Sequence, residues 1–219
     1  MVNNGHKFDA FIFDIDGTIT ATNNLIFESF RYVAKKYLEK SVTDEEIISL
    51  FGPTEDYILK DWMKEKYDEA RVDYFDFYEN NHLEMASAYD GIIDLLKTIK
   101  SNDKLLSIYT GKGRDSSRIT LEQIDALKYF DMVVSGDDIK KHKPSPEGIL
   151  VFLEKYNLSK DKVLMIGDAP ADITAARDAG VKVASVLWDS YAKDQVLQMN
   201  SDFYFHTVNE LSEFIRDSF

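Results

Sequence analysis

The chain has 219 residues, of which 44% are hydrophobic and 30% are charged, with a formal net charge of −13 and no cysteine. It can bury a sizeable core, but without cysteine it has no disulfide, thiolate nucleophile or zinc–thiolate site. The negative charge disfavours nucleic acid as a partner, and no apolar run is long enough to cross a membrane.

The first predicted strand, Phe11–Phe13, ends in two aspartates. Residues 1–7 lack the apolar core of a signal peptide and lead straight into this strand, so we expect a cytoplasmic protein. Asp14 and Asp16 stand at alternate positions and would share one side of an extended chain. Because two crowded carboxylates repel, a cation must lie there or one must hold a proton. Gly17 allows a turn that a side chain would forbid; an acidic turn closed by glycine is the alternative.

Residues from about 24 to 82 read as consecutive amphipathic helices without a convincing strand. Apolar residues recur there at helical spacing, beginning with Ile26, Phe30, Val33 and Tyr37. Thr43 and Glu46 form a capping box that opens the next helix, and Phe51-Gly52-Pro53 ends it. Two more helices are predicted around Tyr57–Met63 and Val72–Tyr78.

From Tyr89 onward, helices and strands alternate. The predicted strands cover residues 104–109, 132–134, 163–166 and 183–186, and the helices between them include one that Ser145 caps with Pro146 at its first position. Thr207 and Glu210 make a last capping box. This alternation predicts an α/β fold with a Rossmann-like, doubly wound parallel sheet. We assign residues 1–20 and 88–219 to the core, and residues 21–87 to an inserted helical cap domain.

Four strand ends carry polar or charged residues, and ligands bind at the carboxyl ends of strands in open parallel sheets. These residues are Asp14 and Asp16, Thr110 with Gly111, Lys143, and Asp168 with Asp172. Each has an ordinary alternative when it is taken singly. Thr110 could cap a helix, Lys143 could be a solvated charge, and the last two aspartates could cap the following helix.

Together, the order and spacing of these residues resemble the haloacid dehalogenase-like hydrolase superfamily, most of whose members are phosphatases. The four motifs that carry the resemblance are Asp14-Ile15-Asp16-Gly17-Thr18, Thr110, Lys143 and Gly167-Asp168-Ala169-Pro170-Ala171-Asp172. The branch they suggest contains phosphoglycolate phosphatase-like and β-phosphoglucomutase-like proteins with a helical cap. The resemblance covers almost the whole chain.

The resemblance implies hydrolysis of a phosphate monoester through an aspartyl-phosphate intermediate. Positive charge must be supplied for a carboxylate to approach a phosphate dianion. We assign Asp14 as the nucleophile and Asp16 as the general acid and then the general base. By the resemblance, Mg²⁺ would be held by Asp14, the backbone carbonyl of Asp16, and Asp168, with Asp172 supporting it through a water molecule or by contacting the residues that bind it.

The acidic chain must build its anion site locally, from lysine, backbone N–H groups and a metal ion. By the resemblance, Thr110 and the N–H groups around Gly111 would donate to the phosphoryl oxygens, and Lys143 would neutralise charge on the phosphoryl group and on Asp14. The predicted catalytic residues are Asp14, Asp16, Thr110 and Lys143. The predicted substrate contacts are Gly17, Thr18, Pro53, Thr54, Thr110, Gly111, Lys112 and Lys143.

In the family, an aspartate at the place of Asp16 distinguishes phosphatases and phosphomutases from dehalogenases and P-type ATPases. Mutase relatives carry an arginine-bearing loop at the start of the cap, and residues 40–60 contain no arginine. A phosphatase is therefore favoured over a β-phosphoglucomutase-like mutase, and the intact charged motifs argue against a non-catalytic phospholigand-binding protein. The predicted substrate is a phosphoglycolate-like acid or a sugar phosphate, although Thr20-Ala21-Thr22 departs from the Asp-Ser common in phosphoglycolate phosphatase relatives.

Two further stretches bear on the substrate. Gly52-Pro53 resembles the substrate-specificity loop of the cap, with Thr54 or Glu55 facing the active site; a turn between helices is the alternative. Lys112 and Arg114 could touch an anionic substrate, but solvated surface positions are favoured for both. The expected partner is a small phosphorylated metabolite, with no nucleic acid and no membrane, and the expected state is a monomer or homodimer.

Overall fold

The computed structural model describes residues 7–219. The first six residues, which carry most of the segment predicted to lack a signal peptide, lie outside this range. The strands are β1 Ala10–Phe13, β2 Thr20–Ala21, β3 Ser87–Ala88, β4 Leu105–Tyr109, β5 Met132–Val134, β6 Val163–Gly167, β7 Lys182–Val186 and β8 Phe203–Phe205. The helices are α1 Asn23–Leu38, α2 Asp44–Ile48, α3 Glu55–Met63, α4 Tyr67–Met85, α5 Ile92–Ser101, α6 Arg114–Gln123, α7 Glu147–Tyr156, α8 Pro170–Ala179, α9 Lys193–Gln198 and α10 Val208–Asp217.

Six strands form one sheet in the order β5-β4-β1-β6-β7-β8, and every neighbouring pair is parallel. Strand β1 is fully buried between β4 and β6. Its side chains alternate between two cores: Phe11 and Phe13 pack on the side of α5 and α10, whereas Ala10 and Ile12 pack on the side of α7 and α8. Helices therefore cover both faces, and the predicted doubly wound α/β fold is confirmed.

The four helices α1 to α4 lie between β2 and β3, two short strands that pair antiparallel through Thr20 and Ala88. These helices share a hydrophobic cluster of their own, which Ile119 of α6 also joins. Phe30 and Tyr74 lie at its centre, with ring centroids 4.9 Å apart. This is the block that the sequence predicts as a cap, and we use that word for residues 21–87.

Most predicted elements are present, with a few differences. Both predicted capping boxes form, at Thr43 and at Thr207. Helix α4 is much longer than predicted, and α7 begins at Glu147 with Pro146 as its N-cap, one residue later than expected. Strands β2, β3 and β8 were not predicted, because two or three residues carry no periodicity and need a partner strand to define them. No described helix is long and apolar enough to cross a membrane.

Candidate active site

The chain leaves β1 through Asp14 and turns tightly at Gly17. The N–H of Asp14 donates to the carbonyl of Ile166 in β6 at 2.9 Å, which fixes it at the carboxyl end of the sheet. Gly17 has φ of +74°, and a Cβ there would lie 2.5 Å from Oδ2 of Asp168. A side chain at this position would therefore displace an acidic residue of the neighbouring strand end.

Three carboxylates meet beyond the ends of β1 and β6. Asp14, Asp168 and Asp172 each offer one oxygen, and these oxygens lie within 4.8 Å of one another. Asp172 is fully buried in the first turn of α8, where its Oδ2 accepts the N–H of Ala169 at 3.0 Å. The hydroxyl of Thr18 lies 3.4 Å from Oδ1 of Asp168 and donates to it.

A single lysine compensates this cluster. Lys143 Nζ lies 3.1 Å from Oδ1 of Asp14 and 2.5 Å from Oδ1 of Asp172, with only 7% of its side chain exposed. Within the described chain, Asp14 Oδ1 is buried and the lysine contact does not give it a hydrogen bond. Burial raises the pKa of Asp14 to about 6, against the opposing effect of Lys143. Burial, followed by the neighbouring Asp172, also raises the pKa of Asp168.

These observations fit a divalent cation. Burial raises the pKa of Asp14 and of Asp168, so Lys143 compensates the charge of the cluster only in part. The buried Oδ1 of Asp14 has the ion pair with Lys143 but no hydrogen bond in the described chain, so it is available as a ligand. The donor set contains only oxygens, which hard cations such as Mg²⁺ prefer. Asp14 and Asp168 could bind such an ion directly. Asp172 already receives hydrogen bonds on both oxygens, from Lys143 and Ala169, so it suits an outer position.

The loop after β4 faces the same site. The Thr110 hydroxyl oxygen accepts the N–H of Lys112 at 3.2 Å, which leaves the hydroxyl hydrogen free to donate. The expectation that Lys112 is a solvated surface residue is wrong. Its side chain is 1% exposed, and its Nζ lies 3.3 Å from both oxygens of Asp16. Arg114 does lie at the surface, where it pairs with Asp138.

Asp16 is held from two sides. Its Oδ1 accepts a hydrogen bond from the hydroxyl of Thr22, and Lys112 approaches both of its oxygens. The lysine ammonium also lies 5.0 Å from the ring centroid of Tyr78, a cation–π contact inside the protein. Asp16 is thus oriented by core and cap residues together.

Glu55, the first residue of α3 in the cap, reaches the core. Its carboxylate accepts hydrogen bonds from the N–H of Gly113 and the hydroxyl of Ser116, both at 2.6 Å. The preceding residue, Thr54, is buried, and its methyl group packs so close to Gly136 that a Cβ there would lie 2.5 Å away. Of the two residues proposed to face the site, Glu55 lines it and Thr54 does not.

A cavity of about 340 Å³ lies between these groups and the cap. Ten of the predicted site residues line it: Asp14, Asp16, Gly17, Pro53, Thr110, Gly111, Lys112, Lys143, Asp168 and Asp172. Thr18 and Thr54 do not. The wall also contains residues that the sequence did not single out for the site, among them Asn23, Ile26, Phe30, Phe51, Ile58 and Tyr191. Helical periodicity predicts several of these as core residues, because a local sequence pattern cannot distinguish a residue that lines a cavity from one that is packed in a core.

A family model described as haloacid dehalogenase-like hydrolase matches residues 11–186. The chain belongs to this family. The pyrophosphatase PpaX of Listeria monocytogenes is 29% identical over 212 residues, which cover 96% of this chain and 98% of that protein. The predictions of the family and of a hydrolase are confirmed.

Solved structures agree on the fold of this haloacid dehalogenase-like hydrolase. A predicted phosphoglycolate phosphatase from Haemophilus somnus has a TM-score of 0.83 at 19% identity, covering 95% of this chain and 98% of that one. CbbY from Rhodobacter sphaeroides, solved in complex with phosphate, has a TM-score of 0.80 at 17% identity, covering 93% and 96%. At such identities the likeness shows the fold alone.

Proposed function

We propose that the chain is a Mg²⁺-dependent phosphatase that hydrolyses a small phosphate monoester through an aspartyl-phosphate intermediate. The observation that carries this proposal is the contact of Lys143 with both Asp14 and Asp172 at the floor of a cavity that Asp16 also lines. The name of the full-length relatives, pyrophosphatase PpaX, supports phosphate chemistry.

Mg²⁺, held by Asp14, Asp168 and the backbone carbonyl of Asp16, would supply positive charge to the phosphate and to the attacking carboxylate. Lys143 adds a second positive charge at Asp14 and keeps Asp172 in place. The Thr110 hydroxyl and the N–H of Gly111 are the donors for phosphoryl oxygens. The N–H groups of Lys112 and Gly113, which flank Gly111, already donate to Thr110 and Glu55.

In the first step, a carboxylate oxygen of Asp14 attacks phosphorus, and the bond from phosphorus to the leaving alcohol oxygen breaks. Asp16 gives its proton to that oxygen, so the product leaves as a neutral alcohol. In the second step, Asp16 takes a proton from water, whose oxygen attacks phosphorus. The bond between phosphorus and Asp14 then breaks, which releases phosphate and restores the free carboxylate.

The mutase alternative receives no support from the cavity wall. A mutase must hold a second phosphate of its sugar substrate, yet no arginine lines the cavity in residues 7–219. We therefore propose hydrolysis of a small phosphorylated metabolite by a monomer or homodimer. The sequence favours a phosphoglycolate-like acid or a sugar phosphate, and the residues of the cap bear on that choice.

The proposal is tested by phosphate release from 4-nitrophenyl phosphate and a broad panel of phosphate esters, with and without Mg²⁺. Asp14→Asn should lower kcat by more than about a thousandfold, because it removes the nucleophile. Asp9→Asn is the matched control, since Asp9 stands just before β1 and is exposed at its other end. Acid quenching during turnover should yield a phosphorylated peptide that contains Asp14. Turnover that survives Asp14→Asn would contradict the proposal, as would wild-type silence on the whole panel.

A further inference from the structure

The cap side of the cavity is mostly apolar. It is formed by Ile26 and Phe30 of α1, Ile58 of α3, and Phe51 and Pro53 of the loop between α2 and α3. Among the described cap residues that line the cavity, Asn23 and Glu55 are the polar ones. In the proposed function the phosphoryl group binds at the opposite, charged floor, next to Asp14 and Lys143. The alcohol that leaves from the phosphate would then lie against this apolar surface.

Neither of the lysines that line the cavity is free to bind a second anion. Lys143 lies between Asp14 and Asp172, and Lys112 lies between Asp16 and Glu55. The five carboxylates and two lysines in the wall carry a formal charge of −3. A divalent cation would reduce this to −1, before the phosphate dianion itself is added.

A second anionic group on the substrate would meet a poor environment. Against Phe30 and Ile58, which are 1% and 7% exposed, it would lose its water without gaining a hydrogen bond. Against Glu55, which is 6% exposed, it would meet a like charge. Pyrophosphate and phosphoglycolate both carry such a group. A sugar presents several hydroxyls, for which the cap offers few partners.

We infer that the preferred substrates are phosphate monoesters of small apolar alcohols, such as a branched alkyl or single-ring alcohol. This inference rests on the proposed phosphatase function and departs from the expectation of a phosphoglycolate-like acid or sugar phosphate. A cavity of about 340 Å³ is at the small end for ligand sites, which limits the alcohol to one ring or a short chain. Such alcohols are poor leaving groups, and Asp16, as the general acid, would protonate the oxygen of the departing alcohol.

The first test compares kcat/KM for isobutyl phosphate and phosphoglycolate, which have similar shapes but differ in one carboxylate. Isobutyl phosphate should be the better substrate by at least about tenfold, because only its leaving group matches the apolar wall. In a series of unbranched alkyl phosphates, kcat/KM should rise about fourfold per methylene until the cavity is full. Pyrophosphate should be turned over more slowly than either isobutyl or benzyl phosphate.

The second test adds a cation to the wall. Phe51 lines the cavity and is 43% exposed, so Phe51→Lys should fold. It should shift the ratio of kcat/KM values about tenfold from isobutyl phosphate toward phosphoglycolate. Ile48→Lys is the control, since Ile48 is equally exposed on α2 and lies outside the cavity wall; it should leave the ratio unchanged.

The outcomes separate the two proposals. If phosphoglycolate or pyrophosphate equals or exceeds isobutyl phosphate, with turnover that needs Mg²⁺ and Asp14, the apolar substrate class is wrong and the phosphatase stands. An unchanged ratio in Phe51→Lys also overturns the substrate class. If no ester is turned over at all, the phosphatase proposal itself fails. Preference for isobutyl phosphate together with the shifted ratio supports both.

Discussion

Glu55 joins the cap to the core, and Glu55→Gln tests what that contact contributes. The carboxylate accepts the N–H of Gly113 and the hydroxyl of Ser116 at 2.6 Å, and its Oε1 lies 3.6 Å from Lys112 Nζ. Glutamine keeps the shape of the side chain but loses the charge. Its amide oxygen can still accept from Gly113, and its NH₂ group can donate to the rotated hydroxyl of Ser116.

The expected loss follows from the change in hydrogen-bond type. A hydrogen bond to a charged group contributes about 1 kcal/mol more than a neutral one, so the two bonds together weaken by about 2 kcal/mol. Because both bonds join the cap to the core, this free energy corresponds to about a thirtyfold change in the equilibrium between docked and undocked cap. If the docked cap is the active form, kcat/KM should fall by up to that factor. For a chain of this length, the melting temperature should fall by about 4–8 °C.

The assay measures kcat/KM on an aryl phosphate and thermal unfolding of the same preparations. Glu69→Gln is the matched control, because Glu69 is exposed on α4 of the cap and the same charge is removed away from the core. It should change neither quantity. A kcat/KM within about twofold of wild type in Glu55→Gln, with an unchanged melting temperature, would refute the reasoning that this contact holds the cap.

Gly17 and His82 give two further predictions. Gly17→Ala should lower kcat by more than about tenfold, because the new Cβ would displace Asp168. Gly180→Ala is the control, since Gly180 has a similar φ of +79° but lies far from the site. It should lower the free energy of unfolding by about 1 kcal/mol and leave kcat unchanged. Burial, helped by the charge of Lys112, lowers the pKa of His82 to about 4, and neither ring nitrogen has a hydrogen-bond partner in the described chain. The pKa of His82 in the unfolded chain is about 6.5, so between pH 4 and pH 6.5 the unfolded state binds more protons than the folded state. Because of His82, the free energy of unfolding should therefore fall by about 2 kcal/mol from pH 7 to pH 5. Urea unfolding at the two pH values should show this loss disappear in His82→Phe, and an equal loss in both proteins would contradict the assignment.

The parallel sheet could be predicted because its signals are local. Residues 10–13 are apolar on both faces of a strand, which is typical of a strand buried between two helical layers. The capping box of Thr43 involves residues three positions apart and needs no tertiary contact. Strand β8 is different: Phe203 pairs with Ala184 of β7, and without that edge the three residues have no signal of their own.

The floor of the site could be predicted for a topological reason. In a parallel sheet the carboxyl ends of the strands lie at one edge, so residues after β1, β4 and β6 converge although they are distant in sequence. This places Asp14, Thr110 and Asp168 around one cavity without any knowledge of side-chain positions. The cap wall has no such rule, because the faces of its helices that meet the core depend on how the cap docks.

Lys112 shows where reasoning from a single residue fails. Burying its charge alone is strongly unfavourable, so a surface position is expected when it is considered separately from Glu55. The two residues are buried together because Lys112 meets Asp16, Glu55 and the ring of Tyr78, while Glu55 also receives two hydrogen bonds from the core. If the cap undocked, Glu55 would leave its core donors and Lys112 would keep Asp16 as its remaining carboxylate partner. The environment of the proposed general acid therefore depends on the docked cap, which links substrate enclosure to proton transfer.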